Sequence, residues 1–367
     1  MLVVLLVLAA LFAPRVSDRM RDFEVYHLAA QRAAAGEPLY RVEDEHYQFK
    51  YLPAFAVLAR PIGALALGTA KTAWFIASIV LVYLLMLGSL RLVPCLRRPA
   101  WLLVAVAIVV MGKFVGHELV LGQVNLLLGA LVVAAALALR RARDAWAGAL
   151  LVLAAIVKPY AVLFLPWIAA QRRWRAVASA SAGGLATIGL PIPFYGVRGT
   201  IELHRAWWAT VTESTAPNLL NQDNVSVAAM FAKWLAPGPS ATALAGITSV
   251  FLIGAMVFVF ARRRGVSSPE GLEASLLLTL LPLLSPQGWD YVFLLATPAV
   301  VLIANEHDRL PAALRVLSAV ALATIGLSLY DVLGRERYAA FMALSVITVC
   351  FLVVILMLVY LRIRKIA

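Results

Sequence analysis

The chain has 367 residues, of which 63% are apolar and only 14% are charged, and its mean hydropathy is +0.89. Soluble domains are roughly half apolar and about a quarter charged, so this composition excludes an ordinary soluble protein. Two cysteines, Cys95 and Cys350, are too few for a disulfide scaffold, and no glycine-rich phosphate loop follows a strand pattern, which excludes Rossmann and P-loop enzymes. The net charge of +13 does not by itself indicate a nucleic-acid partner, and we expect none.

Apolar segments recur from one end of the chain to the other. In chain order they are 1–13, 72–90, 100–112, 121–139, 146–157, 160–170, 176–193, 240–260, 271–284, 291–304, 311–330 and 339–361. A membrane-spanning helix needs about 20 apolar residues, and shorter helices are tolerated where the bilayer is thin. The pattern predicts an all-α polytopic membrane protein with about 10–12 transmembrane helices, folded as a single domain over residues 1–367. Segment 1–13 is short for a span; a signal peptide is the alternative, but no basic residue precedes its apolar run.

Basic residues are concentrated in alternate loops between these segments. The loops near 91–98, 140–144, 172–175, 262–273, 306–315 and 362–365 hold 17 basic and five acidic residues, whereas the opposite loops hold 14 of each. Because short loops rich in Lys and Arg stay in the cytoplasm, we predict a multi-pass protein of the inner (plasma) membrane with both termini cytoplasmic. Residues 14–71, 113–120, 194–239, 285–290 and 331–338 are then expected to face outward.

The apolar stretch 146–170 has basic clusters on both flanks. A single crossing would place one cluster outside, whereas two short helices that turn back at Lys158 keep both inside. Pro159 breaks a helix where such a hairpin must turn. The hairpin would carry Lys158 to membrane depth, where an ionisable side chain usually faces a cavity or a partner. The alternative is one Pro-kinked helix from which the Lys158 side chain extends to the interface.

The first outer loop contains a predicted helix from Asp22 to Ala35, which Gly36 and Pro38 would end. Asp22 lies at the start of this helix, where the helix dipole favours a carboxylate. One interpretation is therefore a helix cap. The other is a general base at the mouth of a cavity, and Glu24 is the second candidate for that role.

A second acidic run in the same loop is Glu43-Asp44-Glu45-His46. Such a run can bind a divalent cation, because hard metals prefer carboxylate ligands. A solvated loop explains the run more simply, and we favour it. We therefore expect no metal and no other cofactor.

Amides and aromatic side chains are concentrated in the remaining outer segments. They include His117, Gln123, Asn125, Asn221, Asn224 and Trp289. Side chains of these kinds bind sugars through hydrogen bonds and stacking. Equally, amides at a helix entrance can hydrogen-bond neighbouring helices, and a Trp near the interface belongs to the usual aromatic belt.

Six short motifs occur in a fixed order along the chain. They are Asp22-x-x-x-Tyr26, Gly36-x-Pro-Leu-Tyr40, Tyr51-x-Pro53 with Pro61, Gly122-Gln-Val-Asn125, the Lys158-Pro159 hairpin and Ser285-Pro286-x-x-Trp289. Together they resemble the GT-C superfamily of integral-membrane glycosyltransferases. Within it they look like glycosyltransferase family 87, which includes phosphatidylinositol-mannoside α-1,2-mannosyltransferases. The resemblance implies a GT-C-like helical bundle with a helical first outer loop, and the active site on the side of outer loops 14–71 and 194–239.

The resemblance also implies a reaction. Such an enzyme takes a sugar, mannose by the example of the family, from a polyprenyl-phosphate carrier at the outer leaflet. It passes the sugar to a lipid-linked or glycan acceptor with inversion, and a carboxylate in the first outer loop, here Asp22, acts as the base. The partners are then membrane lipids, the polyprenyl-phosphate-sugar donor and the acceptor.

The departing phosphate needs fixed positive charge. Lys158 is the first candidate because of its depth in the membrane, and Arg198 and Arg205 are the alternatives. The polar and aromatic residues named above would hold sugar and acceptor hydroxyls. A lipid or small-solute transporter or flippase is the alternative function, but ion-coupled transporters carry acids within their spans, and no acid lies clearly mid-span in this sequence.

Overall fold

The computed structural model describes residues 10, 12–16, 18–214 and 216–366, and their regular secondary structure is helical. In chain order the helices are α1 (Arg21–Ala35), α2 (Pro53–Leu58), α3 (Arg60–Gly63), α4 (Leu67–Leu92), α5 (Ala100–Leu121), α6 (Asn125–Arg140), α7 (Asp144–Val157), α8 (Phe164–Ala170), α9 (Trp174–Gly189), α10 (Ile192–Glu213), α11 (Val227–Leu235), α12 (Pro239–Ala261), α13 (Pro269–Leu284), α14 (Thr297–Glu306), α15 (Ala312–Leu327), α16 (Tyr330–Leu333), α17 (Arg335–Ala343) and α18 (Val346–Ile363). Short 3₁₀ helices lie at Ala13–Arg15, Val42–Tyr47, Pro159–Leu163, Ala216–Asn218, Asp290–Ala296 and His307–Arg309. The prediction of an all-α polytopic membrane protein is confirmed.

Four of these helices are long and apolar enough to cross a membrane: α4, α5, α12 and α18. Helices α9 and α10 add a fifth candidate if they form one span, and they are bent by 89° at the break between them. Helices α6, α7 and α15, and the stretch Pro159–Ala170, are apolar but have only 10–17 residues. The larger number of spans that the sequence predicts includes these shorter helices. Most of the predicted first segment, 1–13, lies outside the described residues.

The chain folds as two compact units. The first consists of residues 1–84 and 117–214, and the second of residues 85–116 and 215–367. Each of the helices α4 and α5 begins in one unit and ends in the other.

Several segments predicted as outer loops are helical. Residues 113–120, expected between two spans, are the last turns of α5. Residues 194–239 contain most of α10 and all of α11, and residues 331–338 fall largely within α16 and α17. Polar residues within these helices made the sequence resemble loops. On α5, Lys113 and Glu118 have buried partners, whereas Arg198, Glu202 and Arg205 on α10 are exposed.

The Lys158 hairpin is present in the first unit. Helix α7 ends at Val157, Lys158 is extended with φ −145° and ψ 119°, and a 3₁₀ helix begins at Pro159. The Asp144 carboxylate at the start of α7 lies 3.3 Å from the guanidinium of Arg173, which follows α8. This ion pair brings the two basic flanks together, so the chain turns back at Lys158 as the sequence predicted.

The first outer loop is built around α1, which covers the predicted helix and begins one residue earlier. The helix ends at Gly36, whose φ of +70° favours glycine and whose N–H donates to the Arg32 carbonyl. One face of α1 packs on an apolar cluster that includes Leu39, Phe49 and Leu203. Burying each such large side chain contributes about 1.5–3 kcal/mol, and the cluster holds the second half of α1, at Ala29 and Ala33, on this unit.

Candidate active site

The centre of the candidate site is the Asp22 carboxylate. Its Oδ2 accepts a hydrogen bond of 2.6 Å from the side-chain amide of Gln123. The side-chain oxygen Oε1 of Gln123 in turn accepts from the hydroxyls of Tyr26, at 2.9 Å, and Tyr51, at 3.2 Å. These two hydroxyls lie 2.6 Å apart. Three of the motifs found in the sequence therefore meet at one side chain, Gln123.

Close backbone approach brings these groups together. Gly122 has φ +71°, and a Cβ on it would lie 2.8 Å from the Cβ of Phe23 and 2.9 Å from that of Met20. The Met20 N–H donates to the Val120 carbonyl at 2.8 Å, and the Trp74 indole N–H donates to the Gly122 carbonyl at 3.0 Å. Glycine is thus required at position 122, both for its backbone conformation and for the space it leaves.

A second group of polar side chains lies at the entrance of α6. Asn125 donates to Glu118 Oε2 at 2.7 Å, and the Leu126 N–H donates to Glu118 Oε1 at 3.0 Å. The hydroxyl of Tyr160, at the tip of the Lys158 hairpin, donates to the side-chain oxygen Oδ1 of Asn125 at 3.2 Å. Glu118 and Asn125 are fully buried, and these bonds satisfy them within the protein. Glu118 was not predicted to lie within a helix, because residues 113–120 were predicted to form a loop.

Lys158 lies beside both groups. Only 8% of the residue is exposed, and its ammonium is 5.9 Å from the centre of the Tyr51 ring and 5.7 Å from that of Tyr160. Its charge interacts with the carboxylates of Glu118 and Asp22. Across the ranges that the structure describes, this ammonium makes no hydrogen bond and no ion pair within 4 Å. A buried cation with this much unused hydrogen-bonding capacity is suited to an anionic ligand.

Lys50 is a second cation near Asp22, and the sequence did not single it out. Burial lowers the pKa of Lys50, and the negative charge of Asp22 opposes this shift. The backbone carbonyl of Lys50 accepts from the Trp207 indole at 3.2 Å, which fixes the segment before α2. The signal available in the sequence was its position next to the Tyr51-x-Pro53 motif.

Glu24, the second candidate base, is engaged in ion pairs. Its carboxylate lies 2.8 Å from the buried ammonium of Lys71 and 3.3 Å from the guanidinium of Arg21. These contacts occupy the carboxylate with two ion-pair partners, which favours a structural role.

The two arginines proposed as alternatives to Lys158 lie on α10. The side chain of Arg198 is 94% exposed and pairs with Glu202 at 3.1 Å, and Arg205 is also exposed. In the described parts of the chain, no hydrogen bond or ion pair joins either of them to Asp22 or Gln123. His117 lies half-buried on α5, directly before Glu118.

An apolar cavity of about 250 Å³ opens beside the hydrogen-bonded side chains of Asp22, Gln123, Tyr26 and Tyr51, which we call the Asp22 group. Its lining includes Tyr26, Val124 and Val157, each of which is a member of the motifs described above or their direct neighbour. The remaining lining is mainly aliphatic and aromatic, with His27 as the polar exception. The cavity can therefore take a hydrocarbon chain close to a polar reaction centre.

The second unit holds the other predicted sugar-binding residues. The Asn224 amide donates to the carbonyls of Asn218, at 3.0 Å, and Pro286, at 2.9 Å, and its oxygen accepts from the Ser226 N–H. Asn224 thus ties the loop before α11 to the Ser285-Pro286 turn, which favours a structural role. Asn221 is exposed and accepts from the Asp223 N–H at 2.9 Å, and half-buried Trp289 pairs with Asn224 through the backbone.

A buried ion pair in the second unit was not foreseen from the sequence. The Lys113 ammonium, on α5, lies 3.4 Å from Asp290 Oδ2 and 4.8 Å from the centre of the Tyr338 ring. Lys113 was predicted in a loop and Asp290 in a turn, so their pairing could not be predicted from the sequence.

One carboxylate in the acidic run of the first outer loop, that of Asp44, is paired with an arginine. Both carboxylate oxygens of Asp44 accept from the Arg32 guanidinium, one of them at 2.8 Å. Within the described residues, no group of three or more His, Cys, Asp or Glu side chains is placed to hold a metal ion.

Comparison with known families decides the class of this protein. The family model described as Glycosyltransferase family 87 matches residues 49–286, about two thirds of the chain. The chain belongs to glycosyltransferase family 87. It is therefore an integral-membrane glycosyltransferase, as the motifs suggested. The matched region contains Tyr51, Gln123 and Lys158, whereas Asp22 and Glu24 precede it. Searches of the curated proteins and of the solved structures found no match.

Proposed function

We propose that this family 87 glycosyltransferase transfers a sugar, with mannose as the first candidate, from a polyprenyl-phosphate carrier to a lipid-linked or glycan acceptor. The transfer takes place at the outer face of the membrane, inverts the anomeric centre and uses Asp22 as the general base. Lys158 binds the phosphate of the donor. The proposal needs no metal.

The observation that carries this proposal is the juxtaposition of Asp22 with a buried lysine that has no ion-pair partner among the described residues. Electrostatic interaction links Asp22 to both Lys158 and Lys50. A glycosyl transfer from a phosphate carrier needs a carboxylate for the incoming hydroxyl and a cation for the departing phosphate. Asp22 supplies the carboxylate and Lys158 the cation, and both lie in the first unit.

The apolar cavity beside the group supports a lipid-linked donor. A prenyl chain is hydrocarbon and needs an apolar cavity, whereas a nucleotide sugar needs polar contacts for its base and ribose. The cavity lining is almost wholly apolar, and it ends at Tyr26 and Val157, next to Asp22-bound Gln123 and Lys158. A chain in this cavity would present its phosphate to Lys158.

In the reaction, the acceptor hydroxyl attacks the anomeric carbon of the donor sugar. The new bond forms between that carbon and the acceptor oxygen, while the bond to the phosphate oxygen breaks. Asp22 takes the proton of the attacking hydroxyl, and Gln123 holds the Asp22 carboxylate in place through its 2.6 Å hydrogen bond. Positive charge develops on the sugar as the phosphate leaves, and Lys158 stabilises the negative charge on the phosphate.

The test compares Asp22→Asn with Glu24→Gln in a transfer assay. Purified protein in detergent receives radiolabelled polyprenyl-phosphate-mannose and a lipid extract of the host membrane. Loss of the base should lower turnover by about 10²–10⁴-fold in Asp22→Asn, because general base catalysis contributes that much. Glu24→Gln should retain most of the turnover. Equal activity of Asp22→Asn and wild type would contradict the assignment of the base.

Donor binding tests the role of Lys158 separately. Lys158→Met keeps the apolar stem of the side chain and removes its charge, so the affinity for polyprenyl phosphate should fall by about tenfold or more. Arg198→Gln is the matched control, since this exposed side chain pairs with Glu202. Unchanged affinity in Lys158→Met, or an equal loss in Arg198→Gln, would remove Lys158 from the phosphate site.

A further inference from the structure

A second, larger cavity lies in the second unit and plays no part in the proposed transfer. Its volume is about 530 Å³, within the range of about 300–1,000 Å³ that is typical of ligand pockets. It is formed by the first half of α5, by α15 and by the end of α14. Leu102, Val106, Val109 and Leu322 represent its aliphatic lining, and the polar side chains at its edge are those of Arg98 and His307.

Exposed aliphatic side chains lie on two of the helices that form this cavity. Val109, which lines it, is 64% exposed, and Val316 and Val320 on α15 are also largely exposed. Helices α5 and α15 meet at Gly326, where an added Cβ would lie 2.9 Å from the Val109 carbonyl oxygen. The cavity lies on the Arg98 side of this contact. Exposed aliphatic side chains on its rim are expected where a cavity opens sideways into a bilayer.

The polar end of the cavity lies at headgroup depth. Trp101, three residues after Arg98, is 72% exposed, and exposed Trp side chains mark the membrane–water interface. The Arg98 and Arg315 loops belong to the basic set that predicts a cytoplasmic position. The cytoplasmic leaflet is the one that carries anionic lipid, and basic pockets between transmembrane helices on that side bind anionic headgroups.

The loop that carries Arg98 is held in place, and within the described chain its guanidinium has one ion-pair contact, with Asp308, and no hydrogen bond. Buried Asn305 accepts from the N–H of Arg97 at 2.8 Å and donates to the Cys95 carbonyl at 2.9 Å, which fixes this loop. Asp308 pairs with Arg97 at 2.7 Å, whereas its distance to Arg98 is 4.0 Å. The hydrogen bond from Arg97 lowers the pKa of Asp308, and the more distant charge of Arg98 contributes less to this shift. The N–H donors of Arg98 can therefore bind a phosphate at the mouth of the cavity.

We propose that this cavity is a binding site for an anionic glycerophospholipid of the cytoplasmic leaflet. One acyl chain occupies the space between α5 and α15, and the phosphate of the headgroup binds the Arg98 guanidinium. An arginine suits this role because its planar donors match phosphate oxygens. The site goes beyond the proposed transfer reaction, and its occupant acts as a structural lipid that fills the gap between the two helices.

Native mass spectrometry of the full chain in detergent tests this proposal. The protein is titrated with phosphatidylglycerol and with phosphatidylcholine of identical acyl chains. Wild type should retain one phosphatidylglycerol with about tenfold preference, as expected for one charge-assisted contact. Arg98→Gln should lose this preference, and Arg98→Lys should keep part of it. Arg141→Gln is the control, because Arg141 is an exposed arginine of a different basic loop.

A second pair of variants tests the acyl-chain part of the site. Ala319 lines the cavity, so Ala319→Phe should fill it and weaken retention of both lipids by about tenfold. Ala313→Phe, on an exposed position of the same helix outside the lining, should leave retention unchanged. Equal retention of the two lipids by wild type, equal losses in Arg98→Gln and Arg141→Gln, or full retention by Ala319→Phe would each overturn the proposal. A shared elution volume and melting temperature establish that the variants are folded.

Discussion

Gln123 offers the sharpest test of the Asp22 assignment. Its amide N–H lies 2.6 Å from Asp22 Oδ2, so Gln123→Glu places a second carboxylate beside the first without changing the size of the side chain. Two unit charges about 4 Å apart repel each other by about 4 kcal/mol at an effective dielectric constant of about 20. At about 1.4 kcal/mol per pH unit, this corresponds to about three pH units. Asp22 is half-buried, and solvent and the nearby lysines reduce the effect, so we expect a displacement of about one to three units.

The direction of this displacement follows from the proposed role of Asp22 as a base. A base must be ionised to work, and a neighbouring negative charge raises the pH at which it loses its proton. The acid limb of the pH–rate profile of Gln123→Glu should therefore move to higher pH. Gln123→Leu removes the hydrogen bond and adds no charge, so it should lower turnover by about tenfold to a hundredfold and leave the position of the limb nearly unchanged.

The assay is the transfer of label from polyprenyl-phosphate-mannose, measured from pH 5 to 9 in steps of about half a unit. Gln31→Glu is the control, because Gln31 lies on the same helix as Asp22 and is exposed. It adds the same charge far from the base and should leave the profile at its wild-type position. An unmoved acid limb in Gln123→Glu, or an equal displacement in Gln31→Glu, would refute the reasoning that joins Gln123 to the base.

Three further predictions concern stability and topology. Gly122→Ala should lower the free energy of unfolding by about 1–3 kcal/mol and lower the melting temperature, because the added Cβ meets two side chains at under 3.0 Å and φ is +71°. Gly112→Ala, with open space around the added Cβ, should leave the melting temperature unchanged. Burial lowers the pKa of Lys233 from 10.5 to about 8, so its charged form opposes folding. The melting temperature of wild type should therefore rise between pH 8 and 10.5 relative to that of Lys233→Met. Parallel plots of melting temperature against pH for the two proteins would contradict this. In Cys-substituted chains, a label should reach position 222 from outside the cell and position 141 only from the cytoplasm; the reverse pattern would invert the predicted topology.

The sequence predicted the fold class well, because the requirement for long apolar helices in a bilayer is local and strict. The Lys158 hairpin followed from two local facts, a proline in an apolar stretch and basic clusters on both flanks. Helix α1 was also predictable from its own residues, since Gly36 and Pro38 end it. The sequence missed that residues 113–120 continue α5, because Lys113 and Glu118 are polar and only their buried partners make a helix suitable there.

The sequence by itself determined the membrane character, the turn at Lys158 and the candidacy of Asp22, since each rests on residues close together in the chain. Only the tertiary structure decided which polar side chains meet. Gln123 contacts Asp22, Tyr26 and Tyr51 across about 70–100 residues of chain. The packing of Met20 and Phe23 against Gly122 sets that geometry. The same packing pairs the Glu24 carboxylate with the Lys71 ammonium. It also leaves Lys158 buried with no ion pair in the described chain. Pairings of this kind depend on which surfaces come together on folding, and spacing along the chain does not encode that.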